Sequence, residues 1–295
     1  MTEPETAADA AIQAASPALW EALSPLGRRL RLPANFLPEQ TAEARGKAFN
    51  ATIGQITDGR GKAVPLPVMA AALEGLDEAA RSQAFLYSPV EGLAELRQRW
   101  RERQRRGRLP GLPSSLPIVT AGPIQALSLA ADLFAAPGRA VALPSPCPEG
   151  YPEIFGLRTE ARLLTLAELA HLPAGGPALA VLRGPAAAGE RTALVAAAER
   201  RPLVVVVDDS GLDAEGAAGD GSLFWDLLGA HPNLVPIKVD GAGFPGANLG
   251  FLTLPFDSDT AVAKALEAKI KLLLRAVVGS PSATSQVLLL QMLGG

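Results

Sequence analysis

The chain has 295 residues, 48% of them hydrophobic, and 27 Lys and Arg against 30 Asp and Glu leave a net charge of −3. A chain of this length and apolar content can bury a core as one large domain, with or without a small lobe. The near balance of charge gives no overall drive toward nucleic acid or a membrane surface, and apolar runs such as Val68 to Leu73 and Ala193 to Ala198 are far too short to span a bilayer. The opening residues, Met1-Thr-Glu-Pro-Glu-Thr-Ala-Ala-Asp9, are acidic where a secretory signal would be basic and then apolar, so a cytoplasmic protein is expected. Cys147 is the only cysteine and His171 and His231 the only histidines, which leaves no metal-ligand set, no intramolecular disulfide and no histidine-based triad to expect.

In chain order, residues 1–46 are rich in Ala, Pro and Arg and read as an N-terminal arm of helix and loop, with residues 47–295 forming the body of the fold. Between Arg97 and Arg108 lie seven arginines and one Glu. On a helix, Leu93, Leu96 and Trp100 share one face at spacings of three and four, which places the arginines on the solvated remainder. The alternative for this segment is a basic contact with nucleic acid or an acidic partner. A helix from Ile124 to Ala135 follows. The short apolar runs Ala140 to Leu143, Ala178 to Leu182, Leu203 to Val207 and Leu234 to Val239, each bounded by Pro, Gly or Asp, have the pattern of buried central strands. Helical stretches at Glu190 to Arg200 and Leu223 to Leu228 separate the last three. Such alternation predicts an α/β fold with a doubly wound, mostly parallel sheet and a ligand site at the carboxyl ends of its strands. Leu249 to Leu254 is the candidate antiparallel exception, and long helices are expected at Thr260 to Val277 and Ala283 to Leu293.

A series of motifs then carries a family resemblance. Gly46-Lys-Ala-Phe-Asn-Ala-Thr-Ile-Gly54, Tyr87-Ser-Pro-Val-Glu-Gly92 with Leu96-Arg97, Pro117-Ile-Val-Thr-Ala-Gly122, Pro137-Gly138, Val204-Val-Val-Val-Asp-Asp209 and Gly279-Ser-Pro-Ser-Ala-Thr-Ser-Gln286 follow one another in the order and at the spacing of class I/II aminotransferases. The chain resembles that pyridoxal phosphate-dependent family from about Phe36 to Leu293. The resemblance implies the three-layer large domain of fold type I. In relatives a small domain that grips the substrate carboxylate continues beyond the segment like Ser280 to Leu293; here the chain ends at Gly295, as a natural truncation or a fragment.

The resemblance also points to positions that would hold the cofactor, and several depart from the family. After the last long strand the family reads Asp-Gly-Ala-Thr-Lys-Glu, whose lysine forms the Schiff base. Here Asp240-Gly-Ala242 runs on to Gly246-Ala-Asn-Leu-Gly-Phe251 without that lysine, and Asn248 stands at the family's phosphate-binding arginine. The phosphate cup corresponds to Gly122-Pro-Ile-Gln-Ala-Leu127, where Pro123 lacks an N–H and Ile124 a hydroxyl; the reading preferred is a plain helix start with proline at its first position. Pro148 takes the place of the aromatic ring that stacks on the pyridine, although Tyr151 is kept. Arg183-Gly-Pro-Ala-Ala-Ala188 replaces Asn-Phe-Pro-Ser-Asn-Pro. Asp208, the counterpart of the pyridinium partner, is kept, but Asp208-Asp-Ser-Gly-Leu212 lacks the family tyrosine.

Gly122 and Asp208 are thus the vestigial cofactor-binding positions, with no catalytic residue assigned and no bound cofactor expected. For Asp208 the reading preferred is a carboxylate serving the strand end or the loop after it. Partial burial of Asp208 and Asp209 and their mutual repulsion would raise at least one pKa, and Asp208→Asn would cost less than ~1 kcal/mol. Lys238, inside a strand, is the nearest replacement lysine. The expectation is a non-catalytic interaction or regulatory homologue, forming a homodimer or a heterodimer with an intact aminotransferase, without membrane or nucleic-acid partners. The alternatives are a diverged pyridoxal phosphate enzyme, a cleft reused for another small molecule, and a nucleic-acid module built on Arg97 to Arg108.

Overall fold

The structure, a computed structural model, describes residues 7–31, 37–44, 46, 62, 64–108, 110–184, 189–210, 222–242 and 247–294. They fall into two units, Met1–Val64 and Pro65–Gly295. In the first, α1 (Ala7–Ala15), α2 (Pro17–Ala22), α3 (Pro25–Arg29) and α4 (Leu37–Glu43) are short. Two Ser-Pro pairs set the starts of α2 and α3. The Ser16 and Ser24 hydroxyls accept from the Leu19 and Gly27 amides at 3.3 and 3.0 Å, and Pro17 and Pro25 occupy the first helical position, where no N–H is needed.

The second unit begins with α5 (Pro67–Glu74), α6 (Glu78–Ala84) and α7 (Ala94–Gln104). It then alternates strands and helices: β1 (Ile118–Thr120), α8 (Pro123–Phe134), β2 (Ala140–Leu143), a π-helical turn (Glu153–Leu157), β3 (Arg162–Thr165), α9 (Leu166–His171), β4 (Ala178–Arg183), α10 (Glu190–Ala198) and β5 (Leu203–Asp208). α11 (Leu223–Leu227), β6 (Leu234–Ala242), β7 (Leu249–Thr253), α12 (Ala261–Val277) and α13 (Ala283–Gly294) complete it. The seven strands form one sheet in the order β1-β7-β6-β5-β4-β2-β3. β3, β2, β4, β5 and β6 are parallel, and β7 runs antiparallel to both β6 and β1, as the Leu249 to Leu254 reading anticipated. The apolar-run signal missed β1, which has only three residues, and β3, an exposed edge without a continuous apolar run.

Alternation along the strands sends side chains to two faces. On one, Val141, Leu179, Val181, Val206, Ile237 and Val239 pack with α8, the π-helical turn and α12. On the other, Ala142, Ala180, Val205 and Val207 pack against α9, α10 and α11, and Val119, Leu249 and Phe251 pack against α7 and α13. Trp100 of α7 stacks on Phe251 at 4.1 Å between ring centroids. At ~1.5–3 kcal/mol for each large apolar side chain buried, these three clusters hold the layers together. Among the described residues no helix is long and apolar enough to cross a membrane.

Candidate functional site

The start of α8 packs against β6 and β7, where Gly122 meets Asn248 and Gly250. Gly122 sits at φ +103°, and a Cβ on it would come within 2.5 Å of the Asn248 side chain. A Cβ on Gly250 would lie 2.4 Å from the Gly122 carbonyl. Glycine is required at both places, the first for its dihedral and both for the close approach of β7 to the turn. The phosphate-cup and arginine-equivalent positions, Gly122 and Asn248, are therefore neighbours in space. Pro123 lies against Gly241 and Ser210. At the helix start the Gln125 side chain turns back to accept from the Ala121 amide at 2.7 Å, and the Ile124 side chain is 55% exposed.

Asp208 ends β5 on the face toward α8. Its Oδ1 accepts from the Ser210 amide at 2.9 Å, the strand-end role read from sequence. Its Oδ2 also accepts the hydroxyl of Tyr151, which is buried beside it and was not foreseen as its partner. Burial, then the Asp208 charge and this hydrogen bond, push the Tyr151 pKa up, so the phenol stays protonated and donates. Asn at this position would keep one acceptor for the phenol, whereas a side chain with no acceptor would strand the buried hydroxyl.

The expected repulsion between Asp208 and Asp209 is corrected, because successive residues point to opposite faces. Asp209 joins Lys238 and Asp240 on the far side of the sheet. Lys238 is 0% exposed and in register with Val207, whereas Asp208 is in register with Val239. Its ammonium bonds Asp209 Oδ2 and lies 2.8 Å from Asp240 Oδ1. The Ser222 hydroxyl donates to Asp209 at 2.6 Å, while the Trp100 indole (3.4 Å) and the Gln104 amide donate to Asp240 Oδ2. Gln104 also donates to Thr253 at 2.9 Å. Two carboxylates thus share one ammonium. Burial acts to lower the Lys238 pKa, but the Asp240 and Asp209 charges outweigh it and hold it above the usual lysine value. Asp209 is pushed up by burial and by the charge of Asp240, which exceed the pull of Lys238. The sequence signal for this network was Lys238 and Asp240 at a spacing of two within an apolar strand.

The arginines of α7 are less solvated than their pattern suggested. Arg97 is buried, donating to the Pro117 carbonyl at 2.8 Å and to Glu267 at 3.0 Å. Arg105 donates to the Leu112 carbonyl at 2.8 Å and to Ser114 at 3.1 Å. The guanidinium groups of Arg97 and Arg105 are therefore engaged in tertiary bonds.

An open cleft of about 410 Å³ lies beyond the carboxyl ends of β2 and β4, lined by Pro144, Ser145, Pro146, Cys147, Pro148, Arg183 and Glu190. Burial, and the charge of Glu153, hold the Cys147 thiol pKa up, so this is not an activated nucleophile.

Residues 47–163 match the family aminotransferase class I and II. The aromatic-amino-acid aminotransferase of Burkholderia pseudomallei, solved covalently bound to pyridoxal phosphate, is 19% identical with a TM-score of 0.63, over 92% of this chain and 76% of that one. The cytoplasmic aspartate aminotransferase of Saccharomyces cerevisiae is 16% identical with a TM-score of 0.68, over 95% and 76%. YbdL of Escherichia coli, described with a methionine aminotransferase function, is 18% identical with a TM-score of 0.64, over 92% and 72%. No curated relative matches in sequence. The fold is that of the fold type I aminotransferases.

Proposed function

We propose that the chain is an aminotransferase-family scaffold that does not carry out transamination and serves as a non-catalytic interaction or regulatory subunit. The observation that carries this reading is the position of Lys238, buried and committed to Asp209 and Asp240 on the face of the sheet away from Asp208. The stretch from Gly241 to Asn248 contributes no other lysine. Pyridoxal phosphate, when bound, supplies an electron sink reached through an imine to a lysine. The residues at the positions corresponding to the family's phosphate site do not fit that group: the start of α8 has no N–H at Pro123 and no hydroxyl at Ile124, and Asn248 beside Gly122 brings no cation. The solved structures that it resembles are named as aminotransferases, but a shared fold does not carry the activity.

The test is chemical. After incubation with pyridoxal phosphate, borohydride reduction and peptide mass spectrometry, no lysine should carry a stoichiometric adduct. An adduct on Lys238 would overturn the reading in favour of a diverged cofactor-dependent enzyme.

For the partner we propose a second copy or an intact relative, docking over the tip after α6. There Phe85 is 90% and Tyr87 95% exposed, with exposed Leu86 between them. Three adjacent apolar side chains in water mark a surface that association would cover. Sedimentation across a concentration series should show dimer, alone or with an intact relative. A single monomeric species in both would sink the subunit proposal.

A second reading, a cleft reused for another small molecule, is favoured by the cavity beyond β2 and β4.

A further inference from the structure

We infer that the cleft beyond β2 and β4 binds a small organic oxyanion, a carboxylate or a phosphate ester with a compact apolar body, through Arg183. This deepens the second reading above and rests on the cleft not being given over to pyridoxal phosphate.

The argument begins with what the lining can donate. Pro146 and Pro148 have no N–H, so that part of the wall offers shape and apolar surface but no backbone donors. The strong donor that remains is the Arg183 guanidinium, whose planar fork matches the paired oxygens of a carboxylate or phosphate. It stands at the last residue of β4, where an open α/β sheet presents groups to a ligand. No ion pair joins it to a carboxylate among the described residues. Asp208, the nearest in register, is occupied by Tyr151 and the Ser210 amide. Ser145 adds a hydroxyl that can accept or donate. Glu190, the acidic side chain of the lining, disfavours negative charge spread over the whole ligand, so the oxyanion belongs at one end and an apolar body against the prolines. The volume of about 410 Å³ lies within the ~300–1,000 Å³ usual for small-molecule sites.

Cys147 lines the same cleft, is exposed and is the only thiol in the chain, which makes it a reporter confined to this place. Its labelling by a neutral maleimide would be timed at fixed pH and ionic strength with phenyl phosphate, benzoate or inorganic phosphate, and with chloride as the control. At a ligand concentration about ten times its Kd, the rate should fall about tenfold, in step with the ligand-free fraction. Phenyl phosphate against benzoate decides which oxyanion is preferred; protection by either supports the site. In Arg183→Gln, whose fold is checked by circular dichroism, the ratio of rates with and without ligand should return to one. Protection by no anion beyond chloride, or equal protection in Arg183→Gln, overturns the inference. A borohydride-fixed pyridoxal adduct would instead overturn the non-catalytic reading, so the two failures are distinguishable.

Discussion

The two faces of β5 and β6 hold charge under different terms. Toward α8, Asp208 keeps one carboxylate at a strand end, satisfied by a phenol and an amide. On the other face, Lys238, Asp209 and Asp240 lie within the sheet proper, beneath α7 and α11, with an excess of one carboxylate. The first arrangement satisfies a single buried carboxylate with neutral donors. The second uses charge to tie elements together: Ser222 at the start of α11, Trp100 and Gln104 on α7, and Thr253 on β7 all meet it. Removal of a lysine so held should matter more for stability than any change at the cleft.

The largest effect is therefore expected from Lys238→Met. It leaves two buried carboxylates without a counter-charge, and stability in urea should fall by ~3–5 kcal/mol. A loss under ~1 kcal/mol would mean that the network does not bind the layers. Asp208→Ala, which strands the Tyr151 hydroxyl, should cost ~1–3 kcal/mol, and Tyr151→Phe less. Equal losses for Lys238→Met and Asp208→Ala would erase the contrast between the faces.

The pH dependence sharpens it further. The folded pKa of Lys238 is raised, so its contribution is intact below the ordinary value of 10.5 and lost as pH rises from there through the folded pKa. Asp209 is raised above 3.8; in the window above that value the native state holds a proton that the unfolded chain releases, and stability declines as pH rises through it. Asp209→Asn should flatten the acid-side slope, and Lys238→Met the alkaline one, in denaturation series across pH. Unchanged slopes would place the ionisations elsewhere. The smallest effect on folding is expected at the exposed tip: Phe85→Ser should shift monomer stability by no more than ~0.5 kcal/mol while weakening association measured by sedimentation.

Much of the fold was legible because the central strands β2, β4, β5 and β6 are buried on both sides, and continuous apolar runs between Gly, Pro and Asp mark that condition. β1 and β3 escaped the same reading, one by brevity and the other by lying at an exposed edge. At the site, Gly122 and Asn248, which the motif order assigned separately to the family's phosphate positions, are neighbours although 126 positions separate them. The partners of Asp208 and Lys238 were not legible. Tyr151 lies 57 residues from Asp208 and Gln104 lies 136 from Asp240, and only the packed layers determine which polar groups meet. Arg97 and Arg105 show the same limit, because a helical spacing reveals the apolar face but not the carbonyl oxygens that neighbouring loops present to its borders.

The lengths of the outer strands carry a consequence for self-association. At one margin of the sheet stands β1 with three residues, at the other β3 with four and largely exposed. A strand added to either margin could gain only a few backbone hydrogen bonds, and Arg162 places a charge on the β3 border. Continuing the sheet from one molecule into the next is therefore weakly templated, which disfavours fibre-like growth through the sheet margins.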